Sequence, residues 1–302
     1  MSESICIVGD VELCYETFGD PHDPALLLVM GLGTQMLWWR EEFCRELAGV
    51  GFYVIRYDNR DVGRSSRLHH AGIPSAWQLL RRDVRAAAYT LADMAGDGMG
   101  LLDHLGVDRA HVVGASMGGM IAQTMAVEHR RRVLSLVSIM SNTGSRRTGQ
   151  PALRLYPRLI TKLPSSRQGY VDYQVRSFRQ IASPGFEYDE EEHRRLSGLA
   201  FDRMVEPAAS TRQLAAIVAS GDRTRQLRTI TAPTLVIHGT ADRLVAPSGG
   251  KATARAIPGA RLMLIEGMGH DLPHGAWPRV IGGIIDNAAR AEQREADEPQ
   301  FA

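Results

Sequence analysis

Short apolar runs alternate with longer helical patterns along most of this chain. The first two runs, Ser4 to Val8 and Val11 to Phe18, alternate apolar and polar residues around Gly9-Asp10, which predicts an antiparallel hairpin with a tight turn. Later runs are more continuously apolar, as is typical of parallel strands buried on both faces. They are Leu26 to Met30, Phe52 to Tyr57, Ala110 to Val113, Val133 to Met140, Thr234 to His238 and Arg261 to Ile265.

Helical spacing of apolar residues occupies the intervals between these runs. Helices are predicted along a stripe that begins at Phe43, over Leu91 to Leu105, from Met117 to about His129, and over Val280 to Ala289. Strands that alternate with helices form parallel sheets covered by those helices. The pattern therefore predicts an α/β fold with a mostly parallel central sheet and helices on both faces.

Two stretches break the alternation. Residues 143–228 carry only helical patterns divided by prolines, which indicates a helical cap inserted into a core made of residues 1–142 and 229–290. Residues Arg67 to Tyr89 form a second, smaller insertion. The last stretch, 291–302, is mostly polar and charged and is expected to be a disordered tail.

Composition narrows the class of protein. The chain has 302 residues, of which 44% are hydrophobic and 23% charged, so it can bury a large core in one substantial domain. The formal net charge of +1 gives no reason to expect nucleic acid as a partner. No apolar run is long enough to span a membrane, and the N-terminus lacks signal-peptide features, so a cytoplasmic location is expected. Cys6, Cys14 and Cys44 lack metal-binding spacing and are expected to be small core residues.

The stretch Gly114-Ala115-Ser116-Met117-Gly118-Gly119 carries the strongest chemical signal. It has the form G-x-S-x-G-G and lies between a predicted strand and a predicted helix. A serine on such a sharp turn needs glycine on both sides, because a Cβ there would collide with the adjacent strand or the following helix. The helix N-terminus also favours negative charge near the serine oxygen. Ser116 is therefore predicted to be a catalytic nucleophile.

A serine nucleophile needs a histidine to accept its proton and usually a carboxylate to orient that histidine. Asp242 and His270 each follow a predicted strand, and the chain order Ser116, Asp242, His270 is that of the α/β-type serine hydrolases. Taken singly, Asp242 could be a helix N-cap and His270 a loop histidine without a partner. Asp271 is an alternative acid, although adjacent side chains in an extended loop point apart.

Acyl transfer also requires hydrogen-bond donors for the developing oxyanion. The backbone N–H of Met117 is one candidate. That of Leu32 is the other, because the glycines on both sides of Leu32 let its loop approach the serine. A plain tight turn would explain the same glycines. No cofactor and no metal are expected, since Pro273 opposes the helix that would align His270 with His274 as metal ligands.

Nearly the whole chain resembles the α/β-hydrolase fold family. The motifs MGLGTQMLWW, YDNRDVGRS, VVGASMGGMIAQ and GMGHDLP are most similar to those of actinobacterial carboxylesterases and lipases of the LipG type and, more distantly, of aclacinomycin methylesterases. Two loops depart from the family pattern. Met30-Gly31-Leu32-Gly33 lacks the histidine and proline of the family's His-Gly-x-Pro loop, and Asp61 stands where the loop Asp58 to Ser65 usually has glycine. The resemblance implies hydrolysis of a carboxylic ester.

The expected reaction is ester hydrolysis through an acyl-enzyme on Ser116. His270 accepts the serine proton, Asp242 orients the imidazole, and the N–H groups of Leu32 and Met117 bind the oxyanion. Carbon–carbon bond hydrolases and cofactor-free haloperoxidases share an S-M-G-G elbow and remain alternatives. A ligand-binding receptor on the same scaffold is the non-enzymatic alternative.

A small-molecule hydrophobic ester is the expected substrate. Met36 and Trp38 follow the loop that holds Leu32, and Leu159 belongs to an apolar series in the cap. These side chains are therefore predicted to contact the substrate at the carboxyl ends of the strands. Ordinary core packing would explain equally well the apolar residues after this loop and those in the cap.

Basic residues dominate the first part of the cap. Between Thr143 and Ala182 eight of them accompany a single acid, Asp172, and the smaller insertion adds Arg81, Arg82 and Arg85. Such an excess would suit peripheral contact with an anionic lipid surface or an acidic substrate. Solvated helix faces explain it as well. The oligomeric state is left open.

Overall fold

Eight strands form one sheet in the computed structural model, which describes residues 3–152 and 164–297. The strands are β1 (Ser4–Val8), β2 (Val11–Phe18), β3 (Ala25–Val29), β4 (Tyr53–Tyr57), β5 (Ala110–Ala115), β6 (Val133–Ile139), β7 (Thr234–Gly239) and β8 (Arg261–Ile265). Their spatial order is β1-β2-β4-β3-β5-β6-β7-β8. The pairs β1–β2 and β2–β4 are antiparallel, and all the other pairs are parallel.

The parallel part of the sheet confirms the predicted α/β architecture. Leu28 of β3 pairs with Val113 of β5, and Val137 of β6 pairs with Leu235 of β7. Because these strands run in the same direction, their carboxyl ends meet at one edge of the sheet. The loops that follow β3, β5, β7 and β8 are therefore brought together although they are distant in sequence.

Ten helices lie within the described residues. They are α1 (Glu41–Gly49), α2 (Ala76–Arg81), α3 (Leu91–His104), α4 (Met117–Glu128), α5 (Arg167–Arg179), α6 (Glu190–Arg203), α7 (Pro207–Ser220), α8 (Thr224–Leu227), α9 (Ser248–Ala256) and α10 (Trp277–Asp297). Short 3₁₀ turns occur at Met36–Trp38, His69–Ala71, Val84–Ala86 and His274–Ala276. The predicted helices over α1, α3 and α4 are present within a few residues of their expected bounds.

Helices cover both faces of the sheet. In β3, Leu27 belongs to a buried cluster with Met94 of α3, whereas Leu26 and Leu28 belong to a second cluster with Phe43 of α1. Successive side chains of a strand point to opposite faces, so one continuous apolar run supplies both layers of the core. This arrangement explains why the parallel strands lack polar alternation.

Helices α5 to α8 all lie between β6 and β7. The described residues of this interval contain no strand, in keeping with the helical pattern of the sequence. We use "the insertion" for residues 143–228. The smaller insertion, Arg67 to Tyr89, contains α2 between two 3₁₀ turns, and α2 begins with a capping box formed by Ser75 and Gln78.

The last helix corrects the prediction of a disordered tail from residue 291. Helix α10 continues to Asp297, and residues 298–302 lie outside the described residues. Ile284, Ala288 and Ala291 recur at helical spacing and are all buried. The polar composition of this stretch belongs to the outer face of an amphipathic helix, whose inner face packs on the sheet.

The described residues contain no helix that is long and apolar enough to cross a membrane. Cys6, Cys14 and Cys44 are free thiols and are all buried. Burial raises the pKa of the Cys14 thiol and that of the Cys44 thiol to about 12. The prediction that these cysteines are small core residues is confirmed.

Candidate active site

Ser116 occupies a sharp turn between β5 and α4. Its backbone has φ 56° and ψ −119°, a strained combination for a residue with a Cβ. A Cβ on Gly114 would lie 2.1 Å from the Gly118 carbonyl oxygen, and one on Gly118 would lie 2.1 Å from the Val29 carbonyl oxygen. Glycine at both positions is therefore a steric requirement of the turn, as the sequence predicts. The turn presents the serine hydroxyl at the carboxyl edge of the sheet.

Asp242 and His270 lie in the loops that follow β7 and β8. The His270 Nδ1 is 2.7 Å from the Asp242 Oδ2, and the His270 Nε2 is 3.0 Å from the Ser116 Oγ. Since a carboxylate only accepts hydrogen bonds, the Nδ1 carries the ring proton and the Nε2 is free to accept from the serine hydroxyl. The structure thus joins the three residues in one hydrogen-bonded chain.

The Asp242 carboxylate is stabilised as an anion. Its Oδ1 accepts hydrogen bonds from the backbone N–H groups of Leu244 and Val245, both at 2.9 Å. Burial by itself would raise the pKa of Asp242, but the positive field and hydrogen bond of His270, together with the imidazole of His238, lower it to about 2. Asp242 is therefore ionised at neutral pH.

A second imidazole on Asp242, that of His238, was not foreseen from the sequence. His238 is fully buried in β7, and its Nε2 lies 2.8 Å from the Val245 carbonyl oxygen and 3.4 Å from the Asp242 Oδ2. Both oxygens are acceptors, so the Nε2 carries the proton. A histidine inside a buried strand was the only available signal, and it did not distinguish this contact from ordinary packing.

The insertion holds the loop that carries His270. The backbone N–H of His270 donates to the Ile181 carbonyl at 2.7 Å, and that of Gly269 donates to the Ser183 Oγ at 2.7 Å. Ser183 also donates a hydrogen bond to Asp271, whose pKa is raised by burial. The structure therefore turns the alternative acid, Asp271, toward the insertion and leaves Asp242 as the partner of His270.

The loop after β3 lies directly against Ser116. A Cβ on Gly31 would be 3.2 Å from the Ser116 Cβ, so the peptide that precedes Leu32 lies close to the serine. Leu32 and Met117 both line the same cavity as Ser116. These positions are those expected for the two predicted backbone donors.

A cavity of about 1650 Å³ lies over Ser116, between the carboxyl edge of the sheet and the insertion. Trp38 lines it and stacks on Phe178 with ring centroids 4.5 Å apart. Met36 was predicted to contact the substrate, but it is fully buried and is not part of the cavity wall. The 3₁₀ turn directs the Met36 side chain into the core and the Trp38 side chain into the cavity. Leu159, the third predicted contact, lies outside the described residues.

Ion pairs reduce the basic excess predicted for the insertion. Arg167 forms a bidentate pair with Asp202, with nitrogen–oxygen distances of 2.8 Å, and Arg179 pairs with Glu190. Asp172 forms an ion pair with Arg194, whose Nη1 lies 2.7 Å from the Asp172 Oδ1. Asp202 and Glu190 belong to α6, outside the stretch from Thr143 to Ala182, so folding neutralises part of the charge of that stretch.

The assembled groups provide the elements of acyl transfer. They comprise a hydroxyl hydrogen-bonded to an imidazole nitrogen and a carboxylate hydrogen-bonded to the other nitrogen of that ring. Within residues 3–152 and 164–297, no cluster of three or more His, Cys, Asp or Glu side chains is arranged to hold a metal ion.

Comparison with known proteins agrees with this architecture. A family model described as alpha/beta hydrolase fold matches residues 24–274. The rhodomycin D methylesterase DauP of Streptomyces sp. (strain C5) is 31% identical over 295 residues, with 87% of this chain and 90% of that protein covered. The 3-oxoadipate enol-lactonase 2 of Acinetobacter baylyi is 26% identical over 257 residues, covering 85% and 86% of the two chains.

Solved structures share the fold over almost the whole chain. An enol-lactonase from Burkholderia xenovorans LB400 has a TM-score of 0.71 at 24% identity and covers 95% of this chain and 100% of its own. A thermophilic esterase from Thermogutta terrifontis has a TM-score of 0.70 at 23% identity and covers 96% and 99%. The predicted resemblance is confirmed: the chain belongs to the alpha/beta hydrolase fold family.

Proposed function

We propose that this protein is a serine hydrolase that cleaves carboxylic esters through an acyl-enzyme on Ser116. His270 takes the serine proton as the hydroxyl attacks the ester carbonyl, and returns it to the leaving alcohol. A water molecule then attacks the acyl-enzyme, again with His270 as the base, and releases the acid. Asp242 keeps the imidazole in the required tautomer and stabilises its charged form.

One observation carries the proposal, the unbroken chain from Ser116 through His270 to Asp242. Its links are 3.0 Å and 2.7 Å long, and the serine lies on a turn whose geometry admits only glycine on both sides. Separate loops supply the three side chains, and a purely structural role gives no reason for their convergence beneath a large cavity.

The oxyanion of each tetrahedral intermediate is assigned to the N–H groups of Leu32 and Met117. The Met117 N–H lies at the start of α4, where the helix dipole favours negative charge. Leu32 follows Gly31, whose close approach to Ser116 brings the loop within reach of an oxygen bonded to the attacked carbon. Two such donors stabilise charge that develops only during the reaction.

The substrate class is a small-molecule ester with a bulky apolar part. A cavity of about 1650 Å³ exceeds what a short-chain ester fills, and Trp38 and Phe178 offer stacked aromatic surface. The similarity to a methylesterase and to an enol-lactonase supports the cleavage of an ester or a lactone. The insertion covers the site as a cap and shapes this pocket.

The decisive experiment is intact-mass analysis after exposure to a fluorophosphonate. Phosphonylation requires a serine that is activated by its base, so the wild-type protein is expected to gain one adduct and Ser116→Ala none. Ser138 serves as a matched control, because it is a fully buried serine outside the site. Ser138→Ala is expected to label like the wild type.

Two results would count against the proposal. Folded wild-type protein without an adduct would overturn the esterase mechanism and favour a binding role. Labelling of Ser116 without turnover of p-nitrophenyl esters would exclude these esters and favour carbon–carbon bond cleavage or haloperoxidase chemistry at the same serine.

We also propose peripheral contact with an anionic lipid surface, located on the smaller insertion. Ile73, Trp77 and Val84 are 63%, 58% and 58% exposed. The Arg81 guanidinium lies 4.4 Å from the centroid of the Trp77 ring, and no described carboxylate forms an ion pair with Arg81 or with its neighbours Arg82 and Arg85. Exposed aromatic and basic side chains together suit an anionic bilayer.

Co-sedimentation with vesicles tests this contact. The wild type is expected to bind phosphatidylglycerol-containing vesicles more strongly than pure phosphatidylcholine, and Trp77→Ser/Arg81→Glu is expected to lose that preference. Arg147→Glu, on the exposed part of the larger insertion, changes the net charge by the same amount and is the charge-matched control. Equal binding by both variants, or no binding by the wild type, would refute the contact.

A further inference from the structure

The loop proposed to carry the oxyanion donor contains a β-turn with an unusual anchor. The Thr34 N–H donates to the Gly31 carbonyl at 3.3 Å, which closes a turn over Gly31, Leu32, Gly33 and Thr34. Gly33 has φ +65°, the sign that the third position of a type II turn requires. The N–H of Gly33 points away from the turn and donates to the Oε1 of Gln213 at 2.7 Å.

Gln213 belongs to α7 of the insertion and uses both ends of its amide. It is fully buried, and its Nε2 donates to the Arg60 carbonyl at 2.9 Å. An acceptor on one side and a donor on the other leave one consistent orientation of the amide. Ser210, one turn earlier in α7, packs on the same loop, since a Cβ on Gly33 would lie 2.5 Å from its Oγ. One helix therefore joins the turn to the loop after β4.

The hydrogen bond to Gln213 determines which way the central peptide of the turn faces. That peptide links Leu32 to Gly33, and its two orientations distinguish type I from type II turns. Glycine at the third position permits both. A flip would turn the Leu32 carbonyl toward the Gln213 Oε1 and set two acceptors against each other, at the cost of a buried hydrogen bond. The amide thus selects the type II orientation.

We propose that Gln213 is a positioning residue that holds the Leu32 N–H in place as an oxyanion donor. The inference rests on the proposed function, because it concerns the donor of that mechanism. Leu32 lies between two peptides, and the Gly31 carbonyl on one side is bound by the N–H and hydroxyl of Thr34. Gln213 fixes the peptide on the other side. The loop lacks a proline to restrict it, and the helix from the insertion supplies the restraint instead.

This arrangement makes the insertion part of the catalytic apparatus. The ends of the loop are held by the core, since Asn59 donates to the Met30 carbonyl at 2.9 Å and the Met36 N–H donates to Asp58 at 2.8 Å. Only its centre depends on α7. The proposed position of the Leu32 N–H therefore depends on the packing of α7 on the core.

Two substitutions separate positioning from packing. Gln213→Met keeps the volume but loses both hydrogen bonds, whereas Gln213→Glu in its protonated form keeps an oxygen acceptor for the Gly33 N–H and an O–H donor for the Arg60 carbonyl. For Gln213→Met we expect kcat with p-nitrophenyl butyrate and the rate of phosphonylation to fall about 10-fold to 100-fold, less than outright removal of an oxyanion donor. KM should change less than about threefold, because ground-state binding is unaffected. Gln213→Glu should be at least about threefold faster than Gln213→Met, since it restores the acceptor.

Gln123→Met is the matched control. Gln123 is also fully buried, with its Nε2 donating to the Ser138 Oγ at 3.0 Å, but it does not touch the loop. This variant should melt at a lower temperature than the wild type and keep kcat within about twofold.

Wild-type kcat in Gln213→Met, or equal losses in the Met and Glu variants, would overturn the positioning role. An unlabelled wild type would instead show that the proposed function itself fails.

Discussion

At the scale of single residues, the surroundings of Asp242 suit the role proposed for it, that of orienting His270. Its carboxylate faces two backbone N–H groups and two imidazoles, those of His238 and His270. We expect Asp242→Asn to lower kcat about 10³-fold to 10⁴-fold, because an amide cannot hold His270 in the tautomer that accepts the serine proton. Steady-state kinetics with a p-nitrophenyl ester measures this loss. Asp271→Asn is the matched control, and a larger loss there than in Asp242→Asn would contradict the assignment.

The same carboxylate makes the free energy of unfolding depend on pH in the acid range. The pKa of Asp242 is lowered from 3.8 to about 2 in the folded protein, so the unfolded chain binds a proton first as the pH falls. The stabilisation, roughly 2 kcal/mol, is present above about pH 4 and is lost between about pH 4 and pH 2. The free energy of unfolding, measured with urea across this pH range, should depend less on pH in Asp242→Asn than in the wild type. Parallel curves for the two proteins would refute this contribution.

The residues identified from sequence share a property. Ser116, Asp242 and His270 each follow an apolar run at a turn, so local pattern was enough to select them. Met36 was selected by the same reasoning and is wrong, because sequence does not show which side of the 3₁₀ turn faces the cavity. His238 and Gln213 left no comparable signal, since a polar residue in an apolar stretch has many explanations.

At the scale of elements, a buried ion pair attaches α7 to the core. Arg212 donates to both oxygens of Asp61, at 2.9 Å and 2.7 Å, and the Tyr89 hydroxyl donates to the same carboxylate at 2.7 Å. Asp61 has φ 71°, in the region of backbone conformation that favours glycine. Aspartate at this position therefore costs some backbone strain, and its carboxylate gains an ion pair with Arg212 of the insertion.

A single variant and a compensating double variant test this attachment. Arg212→Met should destabilise the protein by about 3–5 kcal/mol, because it leaves Asp61 buried without its cation. Asp61→Gly/Arg212→Met should recover most of that loss, since the buried carboxylate of Asp61 is removed with its cation and glycine suits the backbone. Chemical denaturation of both variants measures the difference. If the double variant is less stable than Arg212→Met alone, the pair has another role.

The ends of elements were predicted correctly where residues with a clear turn preference mark them. The hairpin at Gly9-Asp10 and the antiparallel pairing of its strands are as predicted. The end of α10 was placed too early, because its last turns are polar outside and bury only small alanines. Alanine gives a weak hydrophobic signal, so the inner face of this stretch was overlooked.

At the scale of the whole molecule, all three thiols are shielded by the core. We expect the native protein to react with Ellman's reagent far more slowly than free cysteine, because burial disfavours the thiolate. In denaturant all 3 thiols should react. The melting temperature should be the same with and without dithiothreitol. Rapid reaction of the folded protein would show that a cysteine is accessible.

The sequence by itself determined the strand and helix order, the elbow at Ser116 and the chain order of its partners. These features depend on neighbours in the chain, where apolar periodicity and glycine sterics act over a few residues. Only the tertiary structure decided which acid meets His270, which side chains face the cavity and how the insertion braces the loops. Gln213 and Gly33 are 180 residues apart, so their hydrogen bond exists only after the sheet has formed and the insertion has packed on it. Such contacts follow from the packing of distant elements, which local sequence does not encode.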